Sequence, residues 1–199
     1  NEIAKYVEEN PLSGLKGLQQ VKSYFEICLR DVNFKVLEMS QRYEKNKGMA
    51  TTVVTAYLSE GCLYIVNVGD SRAYVLRDKV LTQITEDHTY VNTLLKAGLI
   101  SEAEAENHDK KNMITKAVGA DYAIEADYFE TPVKAGDIIL ICTDGLYGEV
   151  PKEELISILS REESMTGICS DLVNAANQNG GSDNITMVVL KVTEEDFDE

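Results

Sequence analysis

The hydrophobic period of this chain changes near residue 48, and the segments on either side of that change exclude most folds. Residues 15–46 carry apolar side chains at Leu15, Leu18, Val21, Phe25, Cys28, Leu29, Val32, Val36 and Met39. Steps of three and four predict one long amphipathic helix, buried along one side. A short helix at 2–10 precedes it and breaks near Asn10-Pro11. Beyond the change, 51–58 and 62–68 are β-branched and aromatic, separated by Ser59-Glu60-Gly61, and read as a hairpin. Strands at 73–77 and about 80–84 come next, with a turn at Asp78-Lys79. Consecutive strands with no helix between them predict antiparallel pairing, not a βαβ alternation.

Residues 87–119 are polar and broken, with helix in short pieces. Ser101-Glu102-Ala103-Glu104 is a capping-box sequence starting a helix through about Asn107. This segment reads as an insertion over one rim of the sheets. Strands resume at 124–131 and 137–143, helices at about 152–161 and 165–178, and a last strand runs over 184–192. The expected fold is α+β, a single helix-covered antiparallel sandwich.

Three apolar segments adjoin an aspartate beside glycine: Val68-Gly69-Asp70-Ser71-Arg72, Cys142-Thr143-Asp144-Gly145 and Gly181-Ser182-Asp183-Asn184-Ile185. Each has an ordinary reading taken alone, as a tight turn or a loop before a strand. The run 138–142 is continuous and apolar, however, and the chain continues beyond Gly145 as Leu146-Tyr147-Gly148, not as an alternating partner strand. A carboxylate at the end of a buried strand needs a cation or several donors. Bare carboxylates gathered together suit magnesium, manganese or calcium.

Composition removes several alternatives. The net charge of −15 argues against nucleic acid as a partner, and no basic amphipathic stretch suits a membrane surface. Cys28, Cys62, Cys142 and Cys169 show no C-x-x-C spacing and sit in apolar segments. They read as small buried hydrophobes of a reducing compartment, and the expected location is cytoplasmic. His88 and His108 each have an acidic neighbour and read as structural or solvated. There is no G-x-S-x-G, H-E-x-x-H or P-loop string, which leaves nucleophilic-serine and P-loop mechanisms without support.

The strings Gly48-Met49-Ala50-Thr51-Thr52, Gly69-Asp70-Ser71-Arg72-Ala73, Thr85-Glu86-Asp87-His88, Asn112-Met113-Ile114-Thr115-Lys116, Thr143-Asp144-Gly145-Leu146 and Gly181-Ser182-Asp183-Asn184-Ile185-Thr186 occur in a telling order. Over about 48–192 the chain resembles the metal-dependent serine/threonine protein phosphatases of type 2C, especially the bacterial members. The resemblance implies an α-β-β-α sandwich of two antiparallel sheets. It implies that Asp144 and Asp183 bind metal and that Asp70 serves a third, weaker ion. Thr143, Gly145 and Asn184 would support the carboxylates, and 87–119 would be a flap. Two core ions, manganese or magnesium, and phosphoprotein substrates, with serine/threonine kinases and their targets as partners, are implied as well.

The chain departs from the family early. The D-G-M-G-G-H string, whose aspartate bridges the core metals and whose histidine is a general acid, does not occur, and Ala50 replaces a usual glycine. An arginine that grips phosphate is expected upstream as well, so no catalytic residue is assigned within the chain. The opening on Asn1-Glu2-Ile3, with no methionine, reads as the start of an N-terminally incomplete catalytic domain, weakly active or inactive by itself. Two other readings stand beside the enzyme: a non-catalytic phosphatase-like binding module and a plain acidic α/β domain. A metal titration separates the last from the other two.

Overall fold

The long helix forms where the period places it. The computed structural model describes residues 2–197, in which α1 (Glu2–Glu9) is followed by α2 (Gly17–Arg42) and a 3-10 turn at Glu44–Asn46. Helix α2 buries Val21, Phe25, Cys28, Leu29, Val32, Asn33 and Leu37. Met39, expected on that stripe, is 47% exposed. Past Val32 the buried face turns toward Asn33, whose side-chain oxygen accepts the Gly119 N–H at 2.7 Å and whose amide donates to the Asp121 carbonyl at 2.8 Å. Those bonds fix the helix rotation and turn Met39 outward.

By its contacts the chain divides into two compact units. The first comprises Asn1–Thr55, Val66–Asp70 and Asp87–Tyr128; the second comprises Ala56–Ile65, Ser71–Glu86 and Phe129–Glu199. Strands β1 (Val53–Ser59), β2 (Cys62–Val68) and β5 (Asp127–Pro132) form a sheet in the order β1-β2-β5. The turn between β1 and β2 places Glu60 and Gly61 at positive φ, as a two-residue hairpin turn requires. Strand β5 starts three residues later than expected. Residues 124–126 pair with no strand and lie beside α2 in the wall of a cavity of about 560 Å³.

In the first unit, α3 (Tyr90–Lys96) starts at Thr89, whose hydroxyl accepts the Asn92 N–H. Helix α4 (Glu102–Glu106) carries the expected capping box between Ser101 and Glu104. Such caps contribute about 1 kcal/mol each. Little of the segment is buried: Leu99, Met113 and Ile114 are all exposed.

The second unit contains an antiparallel sheet in the order β4-β3-β6-β7, made of β3 (Arg72–Arg77), β4 (Val80–Gln83), β6 (Ile138–Cys142) and β7 (Met187–Lys191). Three helices come after β6: the single turn α5 (Asp144–Tyr147), then α6 (Lys152–Leu159) and α7 (Met165–Gln178). Leu140, Cys142 and Val189 from the sheet share one apolar cluster with Leu146, Leu155, Leu159, Ile168 and Leu172 from the helices. The central position of β6, with a partner on each edge, explains its uninterrupted apolar run.

Candidate metal centre

Strand β6 delivers Asp144. Its last residue, Cys142, pairs with Met187 at the start of β7, and the Thr143 N–H bonds the Thr186 carbonyl at 3.0 Å, one step beyond the ladder. Thr143 then replaces the ladder with its side chain. The hydroxyl accepts the Thr186 N–H at 3.1 Å and donates to the Asn184 carbonyl at 3.2 Å. For this reason β7 begins at Met187 and not at Asn184 as the sequence suggested. The chain at 184–186 is held by a threonine hydroxyl instead of a partner strand.

Gly145 completes the junction. A Cβ on it would lie 2.3 Å from the Asn184 carbonyl oxygen and 3.3 Å from the Asp183 carbonyl carbon, so only a hydrogen fits there. Asp144 and Asp183 therefore sit at one end of the β6–β7 pair, on backbone segments in contact.

Each carboxylate is held by the N–H of the residue that follows it. Oδ1 of Asp144 accepts the Gly145 N–H at 2.9 Å, and Oδ1 of Asp183 accepts the Asn184 N–H at 2.7 Å. The other oxygen of each takes no hydrogen bond or ion pair among the described residues. Two hard oxygen donors without a countercharge fit a magnesium- or manganese-type cation, which keeps several waters and needs few protein ligands. Among the described residues no group of three or more His, Cys, Asp or Glu side chains is gathered to hold a metal, so the candidate site offers two carboxylates.

The loop that presents Asp183 has its own anchor. The Glu149 carboxylate accepts hydrogen bonds from the hydroxyl and the N–H of Ser182, and the Asn179 amide donates to the Glu149 carbonyl at 3.1 Å. Nothing in the sequence pattern singles out Glu149, because its partner lies 33 residues away.

Asp70 belongs to the first unit and is buried there, just past β2. Gly69 holds φ +112, and a Cβ on it would meet the Thr52 side chain at 2.3 Å. The Gly69 N–H donates to Nδ1 of His88 at 3.0 Å, and the His88 N–H returns a bond to the Gly69 carbonyl at 3.0 Å. With Nδ1 accepting, the neutral ring carries its proton on Nε2, 3.2 Å from the Asp127 carboxylate. That contact is not a hydrogen bond, so Nε2 is buried without a hydrogen-bond partner among the described residues. Lys116 lies 3.6 Å from the same carboxylate. His88 is thus structural, tying the start of the 87–119 segment to the residue before Asp70. His108 has a local role, accepting the Lys110 N–H at 3.0 Å.

A profile of the protein phosphatase 2C family matches residues 7–189. The chain belongs to that family. The serine/threonine phosphatase stp of Listeria monocytogenes is 35% identical over 90% of the chain and 71% of that relative. The serine/threonine phosphatase of S. agalactiae superposes with a TM-score of 0.89 at 28% identity, covering 96% of this chain and 79% of that one. The catalytic domain of the phosphatase PstP, solved with two manganese ions, aligns at a TM-score of 0.80 and 29% identity, over 96% of this chain and 79% of that one. The protein phosphatase 2C fold, with two antiparallel sheets flanked by helices, is the one the resemblance implied.

Proposed function

We propose that Asp144 and Asp183 hold a manganese or magnesium ion used to hydrolyse phosphoserine and phosphothreonine in proteins. The observation that carries this reading is the junction at Gly145, which sets the two aspartates on touching backbone segments, each carboxylate held by the following N–H. Membership of the family makes the chain a metal-dependent protein serine/threonine phosphatase. When bound, such ions polarise phosphoryl oxygens and lower the pKa of water. The chain's own residues orient and support: Thr143 joins the Asp144 turn to 184–186, Gly145 leaves room for the Asn184 carbonyl, and Glu149 anchors the loop before Asp183.

Within the same proposal, two core ions operate in the intact enzyme and Asp70 serves a third. The segment 87–119 acts as a flap. Its short helices, few buried side chains and exposed Leu99 support that role. The substrates are phosphoproteins, including targets of serine/threonine kinases. All four cysteines are free, which supports a reducing, cytoplasmic setting. No helix of the described residues is long and apolar enough to cross a membrane.

The test is release of phosphate from phosphoserine and phosphothreonine peptides by the full-length gene product. We expect turnover that needs manganese or magnesium, stops with EDTA, and falls by at least about 10²-fold in Asp144→Ala. Metal-bound but inactive protein would instead establish the non-catalytic phosphatase-like module.

A further inference from the structure

The arginine of the Gly69-Asp70-Ser71-Arg72 string stacks on an aromatic ring in the same helical turn as Asp144. Arg72 opens β3 directly opposite Cys142, at the end of the sheet where Asp144 and Asp183 lie. Its guanidinium sits 3.6 Å from the centre of the Tyr147 ring, and its Nη1 donates to the Tyr74 hydroxyl at 3.1 Å. Tyr74 is buried in the apolar cluster of the second unit, so the guanidinium has a fixed anchor.

Tyr147 is the last residue of α5 and Asp144 is the first. The Gly148 N–H bonds the Asp144 carbonyl at 2.8 Å and the Leu146 N–H bonds the Thr143 carbonyl at 3.0 Å, and the helix goes no further than this turn. A single turn of helix does not hold itself, since forming it fixes several residues for one hydrogen bond. Its orientation must come from packing. Gly145 supplies one contact near the N-terminal end, against the Asn184 carbonyl, and Arg72 over Tyr147 supplies another at the C-terminal end. A planar guanidinium suits this task because it can stack on a ring and donate sideways at once, which a lysine ammonium cannot.

We propose that Arg72 and Tyr147 are a positioning pair for Asp144: the guanidinium, anchored on Tyr74, fixes the α5 turn so that the Asp144 carboxylate is presented beside Asp183. This rests on the metal-site reading above, and the experiment separates the two. Arg72→Gln, Arg72→Lys, Tyr147→Leu and Tyr147→Phe are made in the isotope-labelled chain. Amide exchange at Leu146 and Gly148 is read without metal, and a manganese titration is then followed by paramagnetic broadening at 143–147 and 183–184.

Tyr147→Phe, which keeps the ring under the guanidinium, should stay closer to the wild type than Tyr147→Leu in both readouts. Arg72→Gln and Tyr147→Leu should speed exchange in α5 and raise the manganese midpoint about tenfold, the scale expected when a group supporting a ligand is lost. Arg72→Lys should fall between. Unchanged exchange in Arg72→Gln and Tyr147→Leu, or faster exchange with an unchanged midpoint, would overturn the positioning role. A wild-type chain with no broadening at 143–147 and 183–184 would overturn the metal-site reading itself. The exchange data would still show whether the clamp holds α5.

Discussion

Gly145 lies against the carbonyl of Asn184 so closely that an added Cβ would stand 2.3 Å from its oxygen. Both partners at this contact are backbone, so neither can rotate away. We therefore expect Gly145→Ala to destabilise the chain by about 1–3 kcal/mol, the cost of overpacking a tight site. The same change should separate Asp183 from Asp144 and weaken metal binding out of proportion to stability. Urea unfolding and a manganese titration on one sample check both parts. An unchanged midpoint in both would show that the junction is loose.

His88 joins two segments through a reciprocal pair of bonds with Gly69. His88→Ala leaves the buried Gly69 N–H without its acceptor and should cost about 1–3 kcal/mol. Hydrogen exchange should rise at the Gly69 amide well before it rises in β6. Equal protection of Gly69 in variant and wild type would contradict the assignment.

Asp137 gives the second unit an acid-sensitive contact. Its carboxylate receives two hydrogen bonds from Arg77, at 2.9 and 2.6 Å, and one from the Lys134 N–H at 2.8 Å. Burial alone would push this carboxyl up, but the Arg77 guanidinium and the Lys134 N–H outweigh it and hold it below the ordinary carboxylate value. With the folded value below the unfolded one, the pair contributes fully above about pH 4 and its contribution is lost as acidification passes through the folded value. Asp137→Asn should lower stability at pH 7 by about 2–3 kcal/mol, because Arg77 loses its counterion while keeping some solvent. It should also flatten the acid limb of urea midpoint against pH. A variant with the wild-type slope would show that other carboxylates carry that limb.

Cys28 should be chemically silent. Burial, with the Asp31 charge adding to it, pushes its thiol up to about 11. Iodoacetamide at pH 8 should therefore leave Cys28 unlabelled in the native chain and label it in urea. Rapid native labelling would mean that α2 opens readily from the first unit.

The elements readable from sequence were those set by local period. The stripe from Val21 to Val32 and the apolar run of β6 needed no partner to be seen, and the capping box of α4 is spelled within four residues. Asp144 and Asp183 were also legible, because each adjoins an apolar strand beside glycine. The features that escaped depend on distant partners. Met39 turns outward because Asn33 binds Gly119 and Asp121. β7 starts late because the Thr143 hydroxyl takes the place of a ladder bond. The holds of Glu149 on Ser182 and of Arg72 on Tyr147 join residues whose neighbours in sequence say nothing of each other.

Joint binding of one divalent cation by Asp144 and Asp183 is read from manganese uptake, followed by the free-ion spin-resonance signal. The wild-type chain should take up manganese, and Asp144→Asn and Asp183→Asn should each weaken uptake by about tenfold or more. The double variant should bind little worse than either single one, since both substitutions empty the same site. Wild-type affinity in either single variant, or losses that simply add, would contradict a shared site.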